Sequence, residues 1–283
     1  MAKLDKSLYT KDEWRILKHQ RNQSKALHRA LKTGEPVLTP TPTIPIATTT
    51  KPTPQLDKKI NLNLGEWGKF CPVDMLSRPR IDGNIAFVLG NGLSRKNIKL
   101  DHLREWGRIY GCNALYREFT PDFLVAVDAK MVTEICENNW QLKHPVWTNP
   151  NKNMEKFKNL NFFKPSQGWS SGPTALWLAT HHEHRTFYIL GFDYVGTQEG
   201  KLNNVYGGTR NYRKITDPAT YHGNWLRQTG IVIQKNPKNQ YIRVVQDDRM
   251  GFQAEEFRRF HNYSEMIVSD FRNAFCRPRP VQN

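Results

Sequence analysis

The sequence predicts an α/β protein with a doubly wound, mainly parallel sheet. Short apolar runs of strand length alternate with helix-like segments through the second part of the chain. These runs are nearly continuous, which is typical of strands buried on both faces. The first of them, residues 85–89, ends at Gly90-Asn91-Gly92, and Ser94 follows where a helix would begin. Strand, small-residue turn and helix start is the order with which α/β proteins bind phosphates.

Three regions of different composition divide the 283 residues. Residues 1–35 are predicted to be a basic helical arm, because Thr10 and Glu13 have the spacing of a capping box. Residues 36–59 are a Thr/Pro-rich linker, extended because proline fixes φ and restricts the residue before it. Residues 60–283 form the predicted α/β domain.

The strands of this domain are predicted from runs of apolar, β-branched or aromatic residues. Most of these runs stop at Gly, Asn or Asp. The predicted strands are 85–89, 108–112, 123–127, 186–190 and 241–245, with short extended pieces at 146–147 and 160–163.

The helices are predicted from apolar positions at helical spacing. In residues 130–142, Met131, Ile135 and Leu142 are expected to face inward, and the Ala, Leu and Trp content of residues 173–182 suggests a buried helix. The predicted helices are 100–107, 130–142, 173–182, 218–234, 255–260 and 264–275.

The chain is strongly basic, with a net charge of +16 that is densest in the first sixty residues. A nucleic acid, another acidic partner, an anionic substrate or a solvated basic surface would each account for this charge. No apolar run is long enough to span a bilayer, and the charged N-terminus lacks the apolar segment of a signal peptide. We therefore expect a cytoplasmic protein, with a virion as the alternative location.

Neither a metal site nor a redox motif is indicated. The four cysteines are scattered and form no C-x-x-C pair, and no P-loop motif occurs. The three histidines within residues 181–184 are explained without a metal, because cationic histidines suit the C-terminal end of a helix dipole.

Small or polar residues follow four predicted strands. They are Gly90-Asn91-Gly92, Asn113, Asp128 and Gly191-Phe192-Asp193. Ligands of open parallel sheets bind beyond the carboxyl ends of the strands, so we expect these residues to line one pocket. We also expect the Gly-Asn-Gly turn to leave backbone N–H groups uncovered. The competing explanation is that Asn and Asp simply favour turns.

Two further segments suggest anion binding. Ser170-Ser171-Gly172 precedes a predicted helix, either as a plain N-cap or as an anion site. Residues 203–212 are polar and Gly-rich, which predicts a mobile loop or lid whose Tyr206, Arg210 and Tyr212 reach a phosphate. His222 follows this loop at a predicted helix entrance and is a candidate general base.

Across residues 84–245 the chain resembles the bacterial sialyltransferases of glycosyltransferase family 42 and the related MptE-like group. The resemblance depends on five motifs in the same order. They are Gly90-Asn91-Gly92-Leu93-Ser94, Gly111-Cys112-Asn113, Val127-Asp128, Ser170-Ser171-Gly172 and Gly191-Phe192-Asp193-Tyr194. Leu93 stands where the family usually has Pro, and Ser170 where it has Thr.

The resemblance implies a Rossmann-like domain that binds a cytidine-monophosphate sugar without a metal or other cofactor. The residues implied to bind nucleotide and sugar are Gly90, Asn91, Gly92, Ser94, Asn113, Asp128, Ser170, Ser171, Gly172 and Asp193. In such a site Tyr206 and Tyr212, together with Arg210, would hold the departing phosphate, and His222 would act as base toward the acceptor hydroxyl.

Three hypotheses of function follow. The first is a metal-independent, glycosyltransferase-like enzyme that transfers a CMP-type sugar to an acceptor hydroxyl. The second is a structural or interaction protein, for example a phage virion component, whose inert body docks through residues 1–56. The third is nucleic-acid binding by the arm, ranked last because the arm has no recognised binding motif.

Overall fold

The computed structural model describes residues 84–163, 166–220, 222–246 and 254–277. The predicted arm, the predicted linker and the first part of the predicted α/β domain lie outside the described residues. The strands are β1 (Ile85–Leu89), β2 (Arg108–Cys112), β3 (Phe123–Val125), β4 (Val146–Thr148), β5 (Leu160–Phe162), β6 (Thr186–Leu190), β7 (Gln240–Val245) and β8 (Tyr263–Ile267).

The eight strands form one sheet in the order β5-β4-β3-β2-β1-β6-β7-β8. Every pair of neighbouring strands is parallel. From β1 the chain builds the sheet outward on one side as far as β5, and then returns to the other side of β1 with β6. The strand order therefore reverses between β1 and β6, where open α/β sheets form a crevice at their carboxyl edge.

Helices cover both faces of the sheet, which confirms the doubly wound α/β prediction. They are α1 (Ala129–Glu137), α2 (Ser171–His181), α3 (Gly223–Lys235) and α4 (Val268–Phe275). Single 3-10 turns connect the larger elements at Leu93–Arg95, Asp101–Glu105, Asn113–Arg117, Trp140–Leu142, Lys152–Met154 and Glu255–Phe257.

The alternation of side chains along β1 divides the core into two layers. Phe87 and Leu89 pack in a cluster with residues of α1 and α4. Ala86 and Val88 point to the opposite face and pack with residues of α2 and α3. All four side chains are fully buried, as expected for the central strand of a sheet that is covered on both faces.

Four helix predictions are corrected first. The helix predicted for 100–107 is the 3-10 turn Asp101–Glu105. The helix predicted for 130–142 ends at Glu137, because Asn139 adopts a left-handed conformation with φ 55° before the next 3-10 turn. The helix predicted for 218–234 begins only at Gly223. The predicted helix 255–260 is a single 3-10 turn, Glu255–Phe257.

The C-terminal region contains the largest difference from the prediction. The first part of the predicted helix 264–275 is the edge strand β8, and only Val268–Phe275 is helical. β8 pairs with β7 over its whole length, and Arg243 faces Glu265 across the pair at 3.4 Å. β8 is held by pairing with β7, and its polar, partly exposed residues lack the apolar pattern of the inner strands.

Candidate functional site

Several of the predicted residues lie at the carboxyl edge of the sheet, around the β1–β6 crevice. Gly90-Asn91-Gly92 follows β1, and Gly191-Phe192-Asp193 follows β6, its neighbour in the sheet. Asn113 follows β2 on the other side of β1. The N-terminus of α2 joins them, because Ser171 hydrogen-bonds to Asn113.

The backbone N–H groups of the turn after β1 are occupied by acceptors from the protein itself. Gly92 N donates to Gly191 O at 2.9 Å, Leu93 N to Asn203 Oδ1 at 2.7 Å, and Ser94 N to Asp193 Oδ2 at 3.0 Å. The prediction that these groups are uncovered is wrong. A phosphate at this turn would have to displace acceptors that the fold already supplies.

Asp193 is the main acceptor at this turn. Its carboxylate accepts hydrogen bonds from both the backbone N–H and the hydroxyl of Ser94. It lies so close to Gly92 that a Cβ there would overlap the carboxyl group. Glycine at position 92 is therefore required for the approach of Asp193, and not for the approach of a ligand.

Arg95, which stands where a third glycine of a dinucleotide motif would be, is buried beneath this turn. Only 3% of its surface is exposed. Its guanidinium donates to Gly90 O at 2.7 Å, to Tyr206 Oη at 3.0 Å and to Glu118 Oε1 at 3.1 Å. Arg95 thus connects the end of β1 to the loop that carries the two candidate tyrosines.

Asn91 and Tyr212 form one side of the candidate site. Asn91 Nδ2 lies 3.3 Å from Tyr212 Oη and 3.1 Å from Cys112 O. The backbone N–H of Ala114 also points at Tyr212 Oη, at 3.5 Å. Burial raises the pKa of Tyr212 to about 12, so its hydroxyl keeps its proton at neutral pH. The tyrosine oxygen therefore accepts from two groups and retains a proton to donate.

Asn113 and Ser171 form the other side. The Ser171 hydroxyl donates to Asn113 Oδ1 at 2.7 Å and accepts from Val127 N at 3.1 Å. Asn113 has φ 52°, in the left-handed region that asparagine tolerates better than most residues. At this residue the chain leaves β2 and enters the 3-10 turn Asn113–Arg117.

The first turn of α2 presents small residues toward the crevice. Ser170 is the N-cap, and its carbonyl accepts from Thr174 N at 3.0 Å, while its own N–H donates to Gln228. A Cβ at Gly172 would lie 3.1 Å from the ring of Phe192, so glycine lets α2 approach the turn after β6. The leading N–H groups of a helix have no intrahelical partner and favour negative charge.

The loop predicted as a lid lies against the body. Tyr206 is only 7% exposed, and its ring lies 5.6 Å from that of Tyr212. Val205 N donates to Asn91 O at 2.8 Å, which ties the loop to the turn after β1. Arg210, predicted to reach a phosphate, pairs instead with Glu137 at 2.6 Å.

Asp128, Arg210 and His222 belong to neither of the two hydrogen-bonded pairs, Asn91–Tyr212 and Asn113–Ser171. Asp128 is the N-cap of α1 and lies next to Val127, which contacts Ser171. His222 is the N-cap residue of α3. Burial lowers its pKa, and the nearby Glu256 opposes this shift, so the imidazole is neutral at pH 7.

Two open clefts lie beside the loop on the α1 side. The larger, of about 520 Å³, is lined by Tyr116, Arg117, Glu134, Asn138, Trp140 and Arg210. The smaller, of about 400 Å³, is lined by residues of α1 and by Asn153, Met154, Lys156, Arg210 and Asn211. Of the residues predicted from sequence, Arg210 alone lines these two clefts.

The histidines at the end of α2 serve a different purpose from the one expected. Tyr110 Oη lies 2.7 Å from His182 Nδ1 and 2.9 Å from His184 Nε2. Burial, with His184 and His181 nearby, lowers the pKa of His182 to about 3. His182 is therefore neutral, and the explanation by cationic histidines at a helix end is wrong for it. The described residues contain no cluster of three or more His, Cys, Asp or Glu suited to a metal ion.

Sequence reasoning missed three charged residues around the loop: Arg95, Arg117 and Glu134. Each is far in sequence from the partner that gives it a role, and arginine or glutamate in a basic chain is usually a surface residue. The sequence offered one hint of a buried charge: Arg95 stands at the position of the third glycine of a dinucleotide motif. An arginine at that position does not by itself show whether its side chain is buried.

No protein-family model matches this sequence, and no curated protein or solved structure matches it either. Within the four described stretches, no helix combines the length and the apolar character needed to cross a membrane. The fold defines the class of the protein: a Rossmann-like α/β protein with an all-parallel sheet.

Proposed function

We propose that this protein is a metal-independent, glycosyltransferase-like enzyme that binds a CMP-type nucleotide sugar and transfers the sugar to an acceptor hydroxyl. The observation that carries the proposal is that two hydrogen-bonded pairs, Asn91–Tyr212 and Asn113–Ser171, lie at the β1–β6 crevice, with the backbone N–H of Ala114 next to Tyr212. These residues come from four segments, and their side chains are hydroxyls and amides suited to binding a phosphate and sugar hydroxyls.

The donor phosphate belongs on the α2 side of the crevice. There the N-terminus of α2 favours negative charge, and the Tyr212 hydroxyl, which keeps a proton to donate, lies across the crevice. The Ser171 hydroxyl donates to Asn113 and so holds that amide in place. The turn after β1 is less suited, because its N–H groups already bind Asp193 and Asn203 and the carboxylate would repel a phosphate.

The transfer step assigns a role to two residues. As the acceptor oxygen bonds to the anomeric carbon, its proton passes to His222, and the bond from that carbon to the phosphate oxygen breaks. The electron pair leaves with CMP, and the Tyr212 hydroxyl donates a hydrogen bond to the departing phosphate. A lowered His222 pKa supplies a neutral imidazole at pH 7, and a raised Tyr212 pKa supplies a protonated phenol.

Thermal unfolding with millimolar CMP, CMP-sugars and UMP tests the binding step. We expect CMP and CMP-sugars to raise the melting temperature more than UMP does, since a ligand of the native state stabilises it. No shift with any of these nucleotides contradicts the proposal.

The variant His222→Ala tests the transfer step. Loss of a general base is worth roughly 10²–10⁴ in rate, so turnover should be abolished while CMP binding is kept. His261→Ala is the matched control. His261 is exposed, and its ring nitrogen Nε2 lies 3.2 Å from the backbone oxygen of Pro237. Equal transfer rates for His222→Ala and the wild type would remove His222 from the proposed mechanism.

The occupied turn after β1 favours the second candidate, an inert α/β body within a larger assembly. In that function the contacts of Asp193 with Ser94 serve stability alone. Deleting residues 1–56 should then abolish incorporation into the assembly and leave the body folded. Unchanged copurification of the truncated protein would contradict this candidate.

A further inference from the structure

The carboxylate of Glu134, on α1, is buried beneath the loop and fully surrounded by donors. Glu134 is 3% exposed. Tyr116 Oη donates to it at 2.6 Å, Arg117 Nε and Nη2 at 2.8 and 2.7 Å, and Asn211 Nδ2 at 2.7 Å. Two of these partners come from the 3-10 turn after β2 and one from the loop, so the carboxylate joins three segments.

Arg117 extends this contact to the loop backbone. Its Nη1 donates to Thr209 Oγ1 at 2.7 Å, and its Nη2 donates to Arg210 O at 2.8 Å. The guanidinium carbon also lies 5.9 Å from the ring centres of both Tyr206 and Tyr212. One planar guanidinium thus contacts the buried carboxylate and four residues of the loop. A lysine ammonium cannot reproduce this set of contacts.

Through Thr209, the contacts of Arg117 connect to the two tyrosines of the loop. Thr209 accepts from Tyr212 N through its carbonyl at 2.9 Å, and its hydroxyl also donates to Tyr206 O at 2.7 Å. Fixing Thr209 therefore fixes both tyrosines of the loop. Tyr212 in turn lies beside Asn91 and Ala114 N.

We propose that Arg117, held by Glu134, is a positioning residue that keeps the loop 206–212 closed and so places the Tyr212 hydroxyl in the donor site. The role in donor binding rests on the proposed function; the closure of the loop does not. Arg117 acts through Tyr212 and makes no contact with the donor itself.

Trypsin cleavage after Arg210 in the full chain, followed by mass spectrometry, tests the closure without any ligand. Arg117→Ala should speed this cleavage at least tenfold, and Arg117→Lys should lie nearer to the alanine variant than to the wild type. Arg258→Ala is the matched control, because its partner Glu255 forms an exposed ion pair with it. Cleavage after Arg210 at the wild-type rate in Arg117→Ala would overturn the proposal.

A second variant keeps the test decisive if Arg117→Ala unfolds. Thr209→Val has nearly the same shape and leaves the Arg117–Glu134 pair intact, but it removes the hydroxyl that Arg117 binds. We expect several-fold faster cleavage after Arg210 with an unchanged melting temperature. An unchanged cleavage rate in a folded Thr209→Val variant would overturn the proposal independently.

The role in donor binding is tested by CMP affinity. In the wild type, CMP should slow cleavage after Arg210, and in Arg117→Ala the CMP dissociation constant should rise at least tenfold. If the wild type binds no CMP, the proposed function fails while the cleavage result still decides the closure. If CMP binds wild type and Arg117→Ala equally, the positioning role is overturned and the proposed function stands.

Discussion

The turn after β1 and the turn before α2 have similar sequences but opposite chemistry. Both place Gly and Ser at the start of a helical segment at the carboxyl edge of the sheet. In the first, the N–H groups bind Gly191 O and the side chains of Asn203 and Asp193. In the second, the Ser171 hydroxyl bridges Asn113 and the backbone N–H of Val127 at the N-terminus of an eleven-residue helix.

The difference shows that a small-residue turn defines a set of donors but not their partners. The partners of the first turn come from β6 and from the loop near residue 203, about a hundred positions further along the chain. Once a carboxylate fills the turn, a phosphate gains nothing there and meets like charge. The first turn therefore stabilises the fold, and we propose the second as the place where a ligand binds.

Removing the carboxylate at the first turn should have the largest effect on stability. Asp193→Ala leaves Ser94 without its two hydrogen bonds to a charged partner, and we expect the free energy of unfolding to fall by about 3 kcal/mol. Urea denaturation measures this change. Glu255→Ala is the control, because Glu255 forms an exposed ion pair with Arg258. A loss below about 1 kcal/mol would mean that Asp193 does not hold the turn.

Removing the hydroxyl at the second turn should affect the ligand more than the fold. We expect Ser171→Ala to weaken CMP binding about tenfold, which is about 1.4 kcal/mol, and to lower the free energy of unfolding by only about 1 kcal/mol. Isothermal titration and urea denaturation measure the two effects. Ser264→Ala, on exposed β8 sequence, is the control. If Ser171→Ala costs stability as Asp193→Ala does and leaves CMP affinity unchanged, the two turns do not differ as we infer.

The sequence was sufficient for the central part of the fold. β1, β2 and β6 occur at the predicted residues, because each is an apolar run buried on both faces and its signal is local. β8 was missed because its residues are partly exposed and its stability depends on pairing with β7, including the Arg243–Glu265 ion pair. A strand that is stabilised mainly by pairing with its neighbour, as β8 is, needs no apolar pattern in its own sequence.

The candidate site was predictable only to the level of the sheet edge. Topology brings Asn91 and Asn113 together once the strands are known to be parallel. Sequence gives no measure of which donors are already satisfied, so the occupied turn at Ser94 could not be foreseen. Nor could the burial of Arg95 and Glu134, because it depends on partners in the loop and in other segments.

Tyr212 lies between the two turns, and its hydroxyl sharpens the comparison with a smaller effect. Its contacts with Asn91 and Ala114 are long, at 3.3 and 3.5 Å. We therefore expect Tyr212→Phe to change the free energy of unfolding by less than about 1 kcal/mol, while the transfer rate falls more than CMP affinity does. Tyr188→Phe, remote from the crevice in the core layer of α4, is the control. Equal losses in rate and affinity would assign Tyr212 to ground-state binding only.

The smallest expected effect is a dependence of loop closure on acid pH. Burial alone would raise the pKa of Glu134, but the donors Tyr116, Arg117 and Asn211 outweigh it and lower the pKa below its usual 4.5. A carboxyl with a lowered folded-state pKa stabilises the closed loop above pH 4.5, and this contribution is lost as the pH falls through the lower value.

Hydrogen exchange of peptides covering residues 206–212 measures this loss, with peptides covering the central strand β1 as the internal reference. Between pH 6 and pH 3.5, after correction for intrinsic exchange rates, we expect protection of the loop to decrease in the wild type. Glu134→Gln removes the titrating group and should show weaker protection that changes less with pH. If wild type and Glu134→Gln show the same pH dependence, the loss of protection comes from a different carboxyl group. The charge of Glu134 is then not what keeps the loop closed through Arg117.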